Sequence, residues 1–202
     1  PLYKIASFEL NHLPLLRKVA QTGKPVAASA GASTRDEIAT AVELLREEGC
    51  PLVILLQCVS QYPAHPEDFH LSSIPRLIEE FGIKAGLSDH SPGSVAPIAA
   101  TALGARLIEK HLVLDRSDGS IDAGFSMEPQ EFKEMTAAVR LAHAALGQAS
   151  VGVDEHSPGR RFRRSILVSQ PIREGDAFTP RNLRVARPGD GLDPAPHCVH
   201  AG

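Results

Sequence analysis

Two short stretches of this chain each set an acid close to a histidine. In "GLSDHSPGS" (86–94) an apolar run ends in Ser88, Asp89 and His90, and in "ARLIEKHLVLDR" (105–116) the next run delivers Glu109, Lys110 and His111. Neutral imidazole is a common ligand of divalent metals, and two imidazoles from separate segments with a carboxylate or water suit a catalytic metal. Asp89 and Glu109 would then be placed to move protons. On these residues alone a plainer reading stays open, with His90 hydrogen-bonded in a loop and His111 packed in a core.

Other polar residues fall at the ends of apolar runs in the same way. They are Ser7 and Glu9, Ser29, and the set Cys58, Ser60 and Tyr62. Lys4 with Ser7 offers an ammonium and a hydroxyl to a phosphate or carboxylate, although Lys4 alone reads equally as a solvated charge. "SAGAST" (29–34) offers backbone N–H groups ahead of a helix, or an ordinary turn at Gly31. Cys58 reads as a small buried residue, since no activating base stands near it in the sequence. His65, His70, His143, His156 and His197 show no repeated spacing and read as surface or loop residues.

The elements that must hold these residues alternate along the chain. The apolar runs are 2–7, 25–30, 51–58, 82–88 and 105–114, each strand-like. Between them lie helical patterns. Ile38, Ala41, Val42 and Leu45 follow one face, with Thr34 as N-cap and Glu37 completing a capping box. Ile74, Leu77, Ile78 and Phe81 repeat the pattern, with Pro75 in the first turn and Gly82 as the stop. Residues 94–103 are small and apolar nearly all round, as in a well-packed short helix. Phe132, Met135, Val139 and Leu146 mark a longer helix closed by Gly147. Successive βα units predict a parallel sheet, whose active site lies at the C-terminal strand ends. A complete (β/α) barrel needs eight strands, so residues 1–147 predict an open sheet or part of a barrel. Residues 148–161 read as a polar linker, and 162–202 as a small β-rich unit too short to close a core alone.

Composition limits what the chain can do. Its 202 residues are 43% hydrophobic and 22% charged, the balance of a water-soluble globular protein. A net charge of −3 argues against a nucleic-acid partner or an anionic membrane. No apolar run reaches the roughly 18 residues of a membrane span. "PLYKIASFEL" lacks the basic start and long apolar run of a signal peptide. Cys50, Cys58 and Cys198 form no CxxC pair, which fits a reducing cytoplasm.

Taken in order, "KIASFE", "GKPVAASAGAS", "CVSQYPA", "GLSDHS", "EKHLVLDRSDGSIDAGFSMEP" and "RRSILV…IREGD…RVARPGDG" resemble the sialic acid synthase family over residues 2–192. "KIASFE" and "EKHLVLD" look closest to its pseudaminic acid synthase branch. The resemblance implies a TIM barrel followed by an antifreeze-like (SAF) domain that swaps onto a partner's barrel in a homodimer. The five strands here would be the last five of the barrel, and the SAF domain would be truncated. It further implies condensation of phosphoenolpyruvate with an N-acetylated amino sugar, releasing phosphate, in surface-glycan biosynthesis.

By the same resemblance His90 and His111 match metal ligands, for manganese above all, with magnesium and cobalt as alternatives. Lys4, Ser7, Ser29, Ser60 and Ser88 match phosphoenolpyruvate contacts. Glu9 and Tyr62 match positions on the sugar side. Asp122 matches an acid near the sugar, although Ile121 stands where the family has proline, and "SAGAS" replaces the more usual "STGM". Arg187 matches an arginine that reaches the neighbouring subunit's site. Two other readings remain: a different metal-dependent TIM-barrel aldolase or hydrolase, and a non-catalytic fragment or binding module.

Overall fold

Strand β1 (Tyr3–Ile5) pairs in parallel with β2 (Val26–Ser29), β2 with β3 (Val53–Cys58), β3 with β4 (Lys84–Asp89), and β4 with β5 (Ile108–Lys110). This is a computed structural model; it describes residues 1–189 and 191–195. Asp190 and residues 196–202, which include His197, Cys198 and the end of the expected β-rich unit, lie outside the described residues. The chain divides into two compact units, Pro1–Gly147 and Gln148–Gly202.

In the first unit the sheet order is β1-β2-β3-β4-β5, the order of the sequence. Every crossover therefore steps the same way. A doubly wound sheet would reverse at a switch point, whereas unidirectional stepping curls the sheet toward a barrel. The result is a curled parallel half-barrel. Helices α1 (Leu13–Ala20), α2 (Arg35–Glu47), α3 (Ser73–Phe81) and α4 (Val95–Ala102) supply the crossovers, and α5 (Pro129–Leu146) follows β5.

Both sheet faces are covered, which is why the strands read as unbroken apolar runs. On the helix side Ile5, Val26, Ala28, Val53 and Leu55 pack on Leu16, Ile38, Val42 and Leu45. Ala85 and Leu87 meet Ile74, Ala96 and Ala100. The opposite face gathers Ala27, Ile54 and Leu56, with Leu52 and Leu107 against them. Space there is tight: a Cβ on Gly86 would collide with the Leu107 carbonyl oxygen and lie 2.7 Å from Leu56 Cδ2.

Local signals end the helices where expected. Thr34 accepts the Glu37 backbone N–H at 3.3 Å, and Glu37 accepts the Thr34 N–H at 2.7 Å. Gly82 closes α3 with φ 59°, a left-handed conformation that glycine adopts without a Cβ clash. Two expectations need correction. The 94–103 helix is not packed all round, because Val95 at its start is 81% exposed. Leu146, counted in the apolar stripe of α5, is also exposed, and Met135 carries that helix's buried face. No described helix is long and apolar enough to cross a membrane.

In the second unit β6 (Ser165–Val168) and β7 (Leu183–Ala186) form an antiparallel pair, with Ser165 opposite Ala186 and Val168 opposite Leu183. Ser165 Oγ donates to the Pro188 carbonyl at 2.7 Å, which anchors the turn after β7.

Candidate active site

Strand register decides which side chains meet. Ser29 lies beside Leu56, Cys58 beside Ser88, and Ser88 beside Glu109, so these polar ends continue the helix-free face of the sheet. A cleft of about 150 Å³ opens there. Its lining includes Lys4, Ser7, Ser29, Tyr62, Ser88, His90, Glu109 and His111, all expected from sequence, together with Ala6, Phe8 and Cys58.

The cleft's polar groups are linked. Ser88 Oγ donates to Glu109 Oε1 at 2.8 Å, and Lys4 Nζ stands 3.5 Å from the same oxygen. Lys4 Nζ also donates to the Ile5 carbonyl at 2.9 Å. Ser7 Oγ accepts the Gly31 N–H at 3.2 Å. Gly31 is required by close approach, since a Cβ there would lie 2.6 Å from the Cys58 carbonyl oxygen. Ser29 is 1% exposed and its Oγ has no hydrogen-bond partner. A buried hydroxyl in this position is free to bond a ligand or a water in the cleft.

The two histidine rings lie edge to face, 5.2 Å between centroids. His90 Nδ1 sits 2.8 Å from the Val59 carbonyl oxygen, which assigns the proton to Nδ1 and leaves the Nε2 lone pair free. His111 Nδ1 lies 3.5 Å from Asp122 Oδ2, which favours the same tautomer. Burial and the neighbouring His90 push the His111 imidazole below the usual histidine range, which favours its neutral form, whereas His90 is raised against its burial by Cys58 and the Val59 carbonyl. Tyr62 packs on His90 at 4.3 Å, and Phe125 on His111 at 5.0 Å. The donor set fits a first-row divalent cation held by two imidazole nitrogens. Among the described residues no three His, Cys, Asp or Glu side chains converge on one point. The protein would thus leave most of the cation's positions to substrate and water.

Not every expected residue joins this cleft. Asp89 points to the opposite face, as strand alternation demands, and both its oxygens are taken. Oδ1 accepts from Ser91 N at 2.8 Å and Ser91 Oγ at 2.7 Å, and Oδ2 pairs with Lys110 Nζ at 2.7 Å. Its expected proton-handling role is therefore corrected. Glu9 accepts the Ala6 N–H at 3.1 Å and does not line the cleft. Ser60 lines a larger neighbouring cleft with Gln57, Gln61 and Arg76, and its buried Oγ has no partner. Arg187 belongs to the second unit, exposed directly after β7.

Two members were missed. Cys58, read as a small buried residue, is buried as expected, but it also lines the cleft, with Sγ 4.0 Å from His90 Nδ1. Its thiol is lowered against the opposing effect of burial, by hydrogen bonds to His90, Ser7 and Ser88. With its proton on Nδ1, His90 stands toward the sulfur as a donor rather than a base, and it reaches Cys58 from the adjacent strand. Phe125 arrives on the loop after β5, which returns through bonds from Met127 N to the His111 carbonyl and from Val113 N to the Met127 carbonyl. Its one available signal was an aromatic residue in the mixed stretch "SIDAGFSM".

The chain is 45% identical over 193 residues to a pseudaminic acid synthase of Campylobacter jejuni, covering 95% of this chain and 56% of that protein. It is 43% identical over 196 residues to the pseudaminic acid synthase of Helicobacter pylori, covering 96% and 58%. The crystal structure of N-acetylneuraminic acid synthetase from Leptospira borgpetersenii, in complex with citrate, matches with a TM-score of 0.72 and 36% identity. That match covers 76% of this chain and 54% of the other. The chain thus spans a little over half the length of these curated relatives. A NeuB family model matches residues 1–151, the whole half-barrel with its cleft, and the chain belongs to the NeuB family.

Proposed function

We propose that the cleft is part of the active site of a nonulosonic acid synthase. Such an enzyme condenses phosphoenolpyruvate with the open-chain form of an N-acetylated amino sugar, of the sialic or pseudaminic acid type, and releases phosphate. One observation carries the reading. An ammonium (Lys4), three serine hydroxyls (Ser7, Ser29, Ser88), a carboxylate (Glu109) and two imidazoles (His90, His111) share one cleft at the C-terminal strand ends. The curated relatives named pseudaminic acid synthase support the same class.

Lys4 and the serine hydroxyls would hold the carboxylate and phosphate of phosphoenolpyruvate through charge-assisted hydrogen bonds. Ser60, facing the neighbouring cleft with a free buried hydroxyl, would reach the same ligand from the side. Tyr62 would bound the sugar, and Glu9 would serve at its outer edge. His90 and His111 would hold a divalent cation, manganese or else magnesium or cobalt, which as a Lewis acid polarises the sugar aldehyde.

The reaction forms a bond from C3 of phosphoenolpyruvate to the aldehyde carbon. Water adds at C2 and phosphate leaves with cleavage of its C2–O bond, giving an α-keto acid. Glu109, hydrogen-bonded to Ser88 and paired with Lys4, would take the proton from water. Asp122, beside His111, would deliver a proton toward the aldehyde oxygen.

The second unit is read as part of an SAF domain, a reading supported by its antiparallel β6–β7 pair. In a domain-swapped homodimer the exposed Arg187 would contact the sugar in the partner's site, with several fixed donors suited to carbonyl and hydroxyl oxygens. The test is phosphate release from phosphoenolpyruvate with N-acetylmannosamine and a panel of diacetamido-trideoxy sugars, on the full gene product and on this chain. Release should require both substrates and the metal. Turnover of the sugar without phosphoenolpyruvate would identify a different aldolase or hydrolase. No turnover by the full product would leave a binding module.

A further inference from the structure

Three successive cross-strand pairs run along the ends of β4 and β5. Ser88 faces Glu109 and Asp89 faces Lys110 in the strand register, and one residue further His90 lies by His111. The first and third pairs face the cleft, while the middle pair faces away from it. Its side chains are the most deeply buried ions of the site, with Lys110 1% and Asp89 0% exposed.

We propose that Asp89 and Lys110 are positioning residues whose buried tie sets the spacing of His90 and His111. The metal part of this proposal rests on the reading above. The ladder between β4 and β5 ends at the Asp89–Lys110 pair. Beyond it the two backbones turn to different partners. The His90 carbonyl accepts from Ala64 N at 3.1 Å, and the His111 carbonyl from Met127 N at 3.0 Å. Each histidine is thus drawn toward its own side, and the preceding side chains bridge the gap.

Lys110 also donates to the Ser91 carbonyl, so its ammonium straddles His90, holding the residue before it and the residue after it. Asp89 Oδ1 closes the same turn through Ser91 N and Oγ. His90 is the middle residue of a closed polar loop whose other anchor directly precedes His111. A buried ion pair is a poor source of net stability, since an apolar pair of similar volume often serves as well. What the ionic pair supplies here is one direction and one length between two strand ends.

The test separates positioning from stability. In the double variant Asp89→Leu/Lys110→Met the charges leave together, and the thermal midpoint should stay close to that of the parent. Manganese affinity, read by the free Mn²⁺ EPR signal, should fall about 10- to 100-fold, the usual loss when support outside the metal ligands is removed. In metal-free protein the ¹H–¹⁵N ring signals of His90 and His111, assigned with His90→Gln and His111→Gln, should shift or broaden.

If the apolar pair does not fold, Asp89→Asn/Lys110→Met keeps an acceptor for Ser91 but removes the cross-strand tie, and is read identically. A folded double variant with unchanged ring signals and unchanged manganese affinity would overturn the proposal. If the parent protein binds no manganese, the metal reading fails, and the ring signals alone decide the tie.

Discussion

Replacing Gly31 with alanine places one methyl group where strand β3 already stands. The new Cβ would lie 2.6 Å from the Cys58 carbonyl oxygen and 3.0 Å from Cys58 Cβ, whereas ordinary contact begins near 3.4 Å. Cys58 pairs with Ser88 in the middle of the sheet and cannot retreat, so the β2–α2 turn must move outward by about 0.8 Å, the difference of those distances. Overpacking of this kind costs about 1–3 kcal/mol. The Gly31 N–H bond to Ser7 Oγ, already 3.2 Å long, breaks, adding about 0.5–1.5 kcal/mol. The stiffer unfolded chain returns about 0.4–1 kcal/mol. The net destabilisation is about 0.5–4 kcal/mol by urea titration, with Gly159→Ala, which meets nothing within 4 Å, as the neutral control. Because Ser7 and Ser29 line the cleft, the Michaelis constant for phosphoenolpyruvate should rise in the full gene product while that for the sugar changes less. A Gly31→Ala protein within about 0.5 kcal/mol of the parent, with both constants unchanged, would refute the close-approach reasoning.

Thr34→Ala removes the hydroxyl that caps α2 but leaves the Glu37 bond to the Thr34 N–H, so denaturant titration should show a loss of about 0.5–1 kcal/mol. His90→Ala and His111→Ala should each abolish tight manganese binding measured by calorimetry while leaving a cooperative thermal transition; retained affinity in either would exclude that residue as a ligand. The Glu48 carboxyl is held below the usual glutamate range, first by its bond to Arg17 and then by Gln21. A lowered folded value means that this contribution is present above the ordinary glutamate range and lost as pH falls through the lowered value. The pair is exposed and its effect small, so Glu48→Gln should slightly flatten the acid limb of a melting-temperature profile, most visibly at low salt.

Much of the fold was legible because its signals are local. The Thr34–Glu37 capping box, the Gly82 stop and the apolar stripe Ile38, Ala41, Val42 and Leu45 act over a few residues, and each appears where its pattern places it. Helix α1 escaped notice although Leu16, Val19 and Ala20 share its buried face and Pro14 sits in its first turn, because no side-chain cap marks its start. The convergence of Lys4, Ser29, Ser88, His90, Glu109 and His111 on one cleft could be anticipated from one rule, that parallel strands open at one end. The sequence by itself thus determined the order of the strands and which strand ends form the rim.

Only the tertiary structure decided what those residues touch. Asp89 and Glu109 look equivalent in sequence, each one or two residues from a histidine. Strand alternation turns Asp89 away from the cleft, and the register that sets it against Lys110 is a contact across 21 residues. Cys58 meets His90 across 32 residues, and Phe125 reaches His111 because the Met127 bonds fold its loop back onto β5. Periodicity and capping are written within a few bonds of a residue. Register, burial and ion pairing depend on which distant segment packs opposite, and that is settled only when the whole sheet forms.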